Sequence, residues 1–370
     1  MKKITKKVLL RMPQLRKLVI QRNSLLDEKY SLLNEKDYLV NERNSLLDEK
    51  RLLLSERDTL LSERDTLLTQ KQDLIDERDL LIQNNASLSD EVNQYKKFVP
   101  PGHFYSPIPS NEDIDSFVND SCDLIDNIPG IDLNTEKQLE LLNKFHQYYL
   151  ELPFSDNKTK NLRYHYINPA YSYSDAIMLY SMIRYLKPNN LIEVGSGYSS
   201  CVTLDTNELF FDNQINCTFI EPYADLLKSL INPDDESAKI KIIERKLQDV
   251  PLDTFKNLKE NDILFIDSTH VSKLNSDVNY FIHEIFPALN SGVYIHIHDV
   301  FYPFEYPKHW ISEGRAWNEQ YILRSFLQYN DKFEIVLFNT YLTSFFKNEL
   351  IKKFPLLYKN QGGSIWLRKK

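Results

Sequence analysis

The sequence predicts an α/β domain built on a mostly parallel sheet and preceded by a long α-helical coiled coil. Three observations lead there. Leucine pairs recur every seven residues through most of the first hundred positions, four prolines and a glycine crowd into residues 100–109, and from Leu191 short apolar runs alternate with helical stretches. At 370 residues the chain is long enough for about two units.

The repeat comes first. Leu-Leu, Leu-Val or Leu-Ile pairs fall at 25/26 and then every seven residues to 81/82, each followed by polar and charged residues. A strict repeat of seven supercoils helices that associate. No proline or glycine lies between Gln14 and Phe98, so a rod of roughly 110 Å is expected from Arg22 to Lys96. Placing the second leucine at d leaves Tyr30, Asp37, Asn44, Arg51 and Asp58 at a, a polar seam. A lone helix would need ion pairs four residues apart, and Glu56, Arg57 and Asp58 instead meet Thr59 to Ser62. Self-association as a dimer or trimer is the expectation.

Residues 1–22 carry eight Lys or Arg among apolar residues, a composition that suits peripheral contact with the inner face of a membrane. No run of 18 apolar residues is present, and the expected location is cytoplasmic. A net charge of −8 argues against nucleic acid as a partner. Cys122, Cys201 and Cys217 lack disulfide or zinc spacing and fit a reducing compartment. Pro100 to Pro109 ends the rod. The chain therefore divides into a basic segment (1–22), a coiled coil (23–98), a linker (99–112) and an α/β domain (113–370). His103 and Tyr105 in the linker are candidates to fold back over a site.

Strands are predicted at Leu191–Val194, Cys217–Ile220, Ile240–Glu244, Ile263–Ile266, Val293–Ile297, Phe333–Phe338 and Ser364–Leu367. Before them, a helix is expected from about Ser174 or Asp175 to Leu186. Ligands of such sheets bind beyond the carboxyl ends of the strands. There the first strand runs into Glu193-Val-Gly195-Ser196-Gly197, a glycine turn that opens a helix and exposes free N–H groups. A dinucleotide fingerprint needs a third glycine where Ser200 stands, which disfavours a dehydrogenase.

With Glu193 two places before Gly195, the turn resembles the E-x-G-x-G opening of class I S-adenosylmethionine (SAM) methyltransferases. That resemblance covers residues 100–369. It implies a Rossmann-like seven-stranded sheet whose last strand is antiparallel, with SAM as cofactor. Glu193, Gly195, Ser196 and Gly197 would then hold its methionine end, and Glu221, 26 residues beyond Gly195, its ribose. Gln248 would lie beside the adenine, with Asp249 as the alternative, and Asp267 would border the same site. Tyr171, Tyr173 and Asp175 are further contact candidates.

The fourth and fifth strands end in Asp267-Ser-Thr-His270 and His296-Ile-His298-Asp299-Val300. They resemble the catechol and caffeoyl-CoA O-methyltransferases, in which two aspartates and an asparagine hold a divalent metal. Asp267 and Asp299 match the aspartates, but Val300 stands at the asparagine position, where His298 or His296 would have to serve. His270 takes the place of the catalytic lysine, and a near-neutral imidazole is suited to act as general base. Of His296 and His298, one should face a packed surface. The aromatic connection Phe301–Gln320 is expected to contact substrate through Glu305, Trp310, Arg315, Trp317, Asn318 and Glu319. The expected activity is SAM-dependent O-methylation of a small molecule or glycan, with Asp267, His270 and His298 at the catalytic centre. The alternative is a coiled-coil scaffold carrying an inactive methyltransferase fold.

Overall fold

The computed structural model describes residues 13–96, 98–120, 125–231 and 239–370. Residues 1–12 of the basic segment and Cys122 lie outside the described residues. The chain divides into one unit that ends at Phe98 and a second, Val99–Lys370.

The first unit is a single helix, α1 (Pro13–Lys96, 84 residues). At 1.5 Å per residue it is roughly 125 Å long. Its composition of Leu, Glu, Lys and Arg without an internal breaker favours the helical state. The leucine pairs have no partner within the unit: Leu25, Leu60 and Leu74 are 65%, 64% and 65% exposed. Its ion pairs join neighbours in sequence, as in Arg57–Asp58 and Arg64–Asp65 at 2.6 Å, or residues three apart, as in Arg51–Asp48 at 3.1 Å. All are solvent-exposed and contribute little to stability. No described helix is long and apolar enough to cross a membrane.

The second unit is organised by a sheet of β1 (Asn190–Val194), β2 (Asn216–Ile220), β3 (Ile240–Ile243), β4 (Ile263–Ile266), β5 (Tyr294–His298), β6 (Phe333–Phe338) and β7 (Ser364–Lys369) in the order β3-β2-β1-β4-β5-β7-β6. The first five are parallel, and β7 runs antiparallel to both β5 and β6. β4 is buried along its whole length and β1 along all but its first residue, which is why both read as continuous apolar runs. A largely buried helix, α2 (Tyr173–Leu186), packs on α3 (Tyr198–Phe211), the helix that leaves the glycine turn.

The strand bounds shift by a residue or two; β5, for example, starts and ends one residue later than Val293–Ile297. Two helices, Asn339–Phe345 and Lys347–Lys353, lie between β6 and β7. The aromatic connection contains a short helix, Lys308–Ser312.

Chain order reverses between β1 and β4, where Val194 pairs with Ile266. The Asp267 N–H donates to the Val194 carbonyl at 2.8 Å. The carboxyl ends of these two strands thus form the crevice at which such sheets bind ligands.

Candidate active site

The crevice is shaped by one obligatory glycine. Gly195 has φ 78°, and a Cβ there would sit 1.9 Å from the Asp267 carbonyl oxygen, so a side chain would collide with the end of β4. Gly197 is different: its φ of −173° lies outside the left-handed region, and a Cβ would meet Leu226 Cδ2 at an ordinary 3.6 Å. Of the two glycines in this turn, the backbone geometry demands the residue at Gly195.

Glu193 departs from its expected place at the ligand. It is fully buried and faces the first turn of α3, where the hydroxyls of Ser199 and Ser200 donate to its Oε1 at 2.6 and 2.7 Å. Ser200 Oγ also accepts from the Gly197 N–H at 3.1 Å. Burial pushes the Glu193 carboxyl up to about 8 despite those two hydrogen bonds. Glu193 is therefore a brace for the turn. Its Oε2 and the Ser196 hydroxyl are buried without a protein hydrogen-bond partner.

A cavity of about 390 Å³ opens beyond the turn, lined by Gly195, Glu221, Gln248 and Asp267 together with Tyr223, Ser268, Lys273 and Asn275 among others. Glu221 Oε2 accepts from the Ser196 N–H at 3.4 Å and its Oε1 from the Tyr223 N–H at 2.8 Å, which fixes the carboxylate at the end of β2. Gln248 Nε2 donates to the Asn275 carbonyl at 2.6 Å and ties two loops together over the cavity. Asp249 is not in the lining. An acidic acceptor at the end of β2, a bare backbone at Gly195 and an unpartnered Ser196 hydroxyl suit a nucleoside bearing ribose hydroxyls and a charged tail. The residues present fit SAM.

Asp267 belongs to this cavity and also to a charged cluster. His270 Nε2 is 3.5 Å from Asp267 Oδ1 and 3.5 Å from Asp299 Oδ2, while its Nδ1 is 2.7 Å from Glu319 Oε2. The Trp317 ring lies 4.3 Å from the imidazole. Burial works against charge on His270, but hydrogen bonds to Asp267 and Glu319 and the attraction of both carboxylates outweigh it and hold the ring well above its ordinary value. The expectation was a near-neutral imidazole; the surrounding carboxylates instead favour the protonated ring.

His298 Nε2 is 3.5 Å from Asp299 Oδ1. Burial opposes charge on it too and is outweighed by Asp299, Asp267 and Asp175, so His298 is also raised. For Asp267, burial is outweighed by the charge of His298 and the hydrogen bond to His270, and its carboxyl is held below the usual range.

His296 is two residues from His298 on the same face of β5, yet it lies wholly in the core, stacked on Phe265 at 4.2 Å and against Trp366 at 4.8 Å. Burial and the neighbouring His298 keep it neutral. His296 is thus removed as a metal ligand. So is position 300, because Val300 is fully buried among apolar residues. Among the described residues no group of three or more His, Cys, Asp or Glu side chains is arranged to hold a metal ion, and the ring of His270 lies against both aspartates. The donor set does not fit the expected divalent metal.

The aromatic connection forms a cage. Arg315 lies over Trp310 at 4.4 Å and Trp317 at 5.2 Å, Trp310 meets Trp317 edge-on at 5.3 Å, and Phe301 packs on Trp310 at 5.1 Å. Two residues expected to meet substrate do other work. Asn318 Oδ1 accepts from the Ser272 N–H at 2.6 Å, clamping the loop after β4. Glu319, at the start of helix α4 (Glu319–Leu327), is buried as the partner of His270. Glu305 accepts from the Tyr321 hydroxyl.

On the other side, Tyr171 backs His298 at 5.1 Å. Tyr173 instead stacks on Tyr166 and donates to Asp156 at 2.9 Å. Asp175 is buried and accepts from Ser364 Oγ at 2.7 Å, Asn339 Nδ2 at 3.0 Å and the Gly363 N–H at 3.1 Å, joining α2 to β7. His103 and Tyr105 are exposed and pack against each other at 5.4 Å.

Residues 192–300 match the family described as a methyltransferase domain. An uncharacterized protein of Archaeoglobus fulgidus is 32% identical over 191 residues, 50% of this chain and 83% of that protein. Among solved structures, the SAH-bound Podospora anserina methyltransferase PaMTH1 aligns over 72% of this chain and 99% of its own at 15% identity, with a TM-score of 0.36. The SAM complex of the Streptomyces achromogenes O-methyltransferase TomG aligns over 64% of this chain and 90% of its own at 12% identity, with a TM-score of 0.36. Sheet order and glycine turn define a nucleoside-binding α/β fold closed by an antiparallel strand. Within that class the α/β unit has the sheet order of the class I SAM-dependent methyltransferase fold, and its residues 192–300 carry a methyltransferase domain.

Proposed function

We propose that the protein transfers the methyl group of SAM to a hydroxyl oxygen of a small molecule or glycan. The observation that carries this reading is Asp267, which lines the nucleoside cavity on one side and faces His270 on the other, so that cofactor and acceptor groups meet there. When bound, SAM supplies an electrophilic methyl carbon on a sulfonium. The acceptor hydroxyl lies against the Nε2–H of His270, and the carboxylate of Asp299 receives its proton. Held by Glu221, Ser196 and the bare backbone at Gly195, SAM would present that methyl carbon to the acceptor oxygen, and its sulfur would leave with the bonding pair as a neutral thioether. The imidazolium stabilises the negative charge that develops on the acceptor oxygen. The ring of Trp317 helps to exclude water, and the Trp310–Arg315–Trp317 cage provides flat faces and a cation for the rest of the acceptor.

The assignment of proton roles has a direct test in the pH–rate profile. A cationic His270 is present below its raised value and lost as pH rises through it, so turnover should hold through neutrality and fall on the alkaline side. A neutral His270 acting as base would give the opposite slope over the same window. Methyl transfer from labelled SAM to hydroxylated acceptors, followed across pH, distinguishes them.

The exposed leucine pairs of α1 support self-association of this helix as a dimer or trimer, with the charged positions at its flanks. Light scattering of the full chain against residues 99–370 tests it. A monomeric full chain would remove the coiled coil.

A further inference from the structure

We infer that the His270 side chain, positioned by Glu319, is a built-in cation that takes the place of a divalent metal between Asp267 and Asp299. The inference deepens the proposed methyl-transfer reading by assigning what neutralises the two aspartates.

Asp267 and Asp299 follow the ends of neighbouring strands, β4 and β5, in register at Ile266 and Ile297. Two carboxylates brought together this way repel unless a cation lies between them. The atom that faces both is His270 Nε2, at 3.5 Å from each. The ring is held from every other side. Its Nδ1 is bound to Glu319 at 2.7 Å, Trp317 covers a face at 4.3 Å, and the His270 carbonyl accepts the N–H groups of Asn318 and Glu319, both at 3.1 Å. His270 also has φ 59°, a left-handed backbone rarely adopted outside glycine and sustained only where the surroundings over-determine it. A ring fixed so firmly cannot swing aside for an ion. The third ligand position is closed as well, since Val300 is buried in the core. Three carboxylates around one imidazole favour its doubly protonated form, in line with the upward shift of His270.

The test is manganese binding, read from the electron paramagnetic resonance signal of free Mn²⁺ during titration of the EDTA-dialysed full-length protein. Wild type should leave the signal free at millimolar Mn²⁺. His270→Ala removes the cation and opens the space, and should bind Mn²⁺ on the order of tenfold more tightly or better. Adding Asp299→Asn to that variant should abolish the gain. His270→Gln, closer in size, serves if the alanine variant unfolds and should show the same gain. His270→Lys, which restores a positive charge, should not.

Wild-type binding as tight as that of the variants, lost on Asp299→Asn, would overturn the inference. So would His270→Ala and His270→Gln proteins that melt near wild type without gaining affinity. Because the readout needs neither SAM nor acceptor, an inactive protein with the expected manganese pattern would sink only the methyl-transfer reading.

Discussion

The two units of this chain obey different rules. In α1 each seven-residue unit repeats the same leucine pair and the same kind of charged flank, and the hydrogen bonds and ion pairs among its side chains span four residues or fewer. In the α/β unit the decisive contacts are remote in sequence: His270 with Glu319 across 49 positions, Asp175 with Ser364 across 189, Asn190 with Asp262 across 72. Local redundancy makes the helix tolerant of change and legible from sequence. Remote, singly represented contacts make the α/β unit intolerant, and they carry the chemistry.

The largest contrast should come from a single methyl group. Gly195→Ala places a Cβ 1.9 Å from the Asp267 carbonyl oxygen in a left-handed backbone, and should cost about 3 kcal/mol or more in denaturant unfolding of residues 99–370. The same change at Gly197, where the nearest atom is 3.6 Å away, should be far milder. Equal losses at both positions would break the argument that only the first is demanded by the fold.

Next in size is the effect on chemistry. His270→Ala should lower turnover by about 10²-fold or more while S-adenosylhomocysteine still binds, and full turnover would remove His270 from the site. Glu319→Gln should weaken turnover by less and leave the cavity intact, the pattern expected of a residue that acts through another. Smaller again is Glu193→Gln. Its carboxyl is pushed up to about 8 by burial, so near pH 7 the neutral amide resembles what is already there. Stability should change by about 1 kcal/mol or less. A large loss of ligand affinity would instead return Glu193 to direct contact.

Deleting residues 59–65, one whole repeat, should leave turnover and oligomeric order unchanged, because the leucine register survives. Deleting residues 59–61 should disturb assembly, since it slips that register. If the two deletions behave alike in light scattering, the repeat does not set the association.

The same contrast explains what could be read from residues alone. Strand positions and sheet class follow from short apolar runs that alternate with helical stretches, while the antiparallel last strand was implied only by the family resemblance. Gly195, Glu221, Gln248 and Asp267, which the family resemblance pointed to at the ends of strands, all line the cavity. Glu319 was recognised as a candidate with the wrong role: nothing local reveals that a carboxylate at the start of α4 meets His270. The upward shift of His270 was hidden for the same reason, since one of its two causes, Glu319, comes from a remote segment. Lys273 and Asn275 line the cavity from a loop without a motif. Because β1 is buried on both faces, alternation gives no sign that Glu193 accepts from Ser199 and Ser200.

The most direct test of the central claim is a calorimetric titration of the protein with S-adenosylhomocysteine, repeated with NAD and with Glu221→Ala. The account predicts micromolar binding of the first ligand, none of NAD, and a loss of about tenfold or more in the variant as its ribose acceptor disappears. A folded protein that binds neither ligand, or one that binds S-adenosylhomocysteine equally well without Glu221, would contradict it.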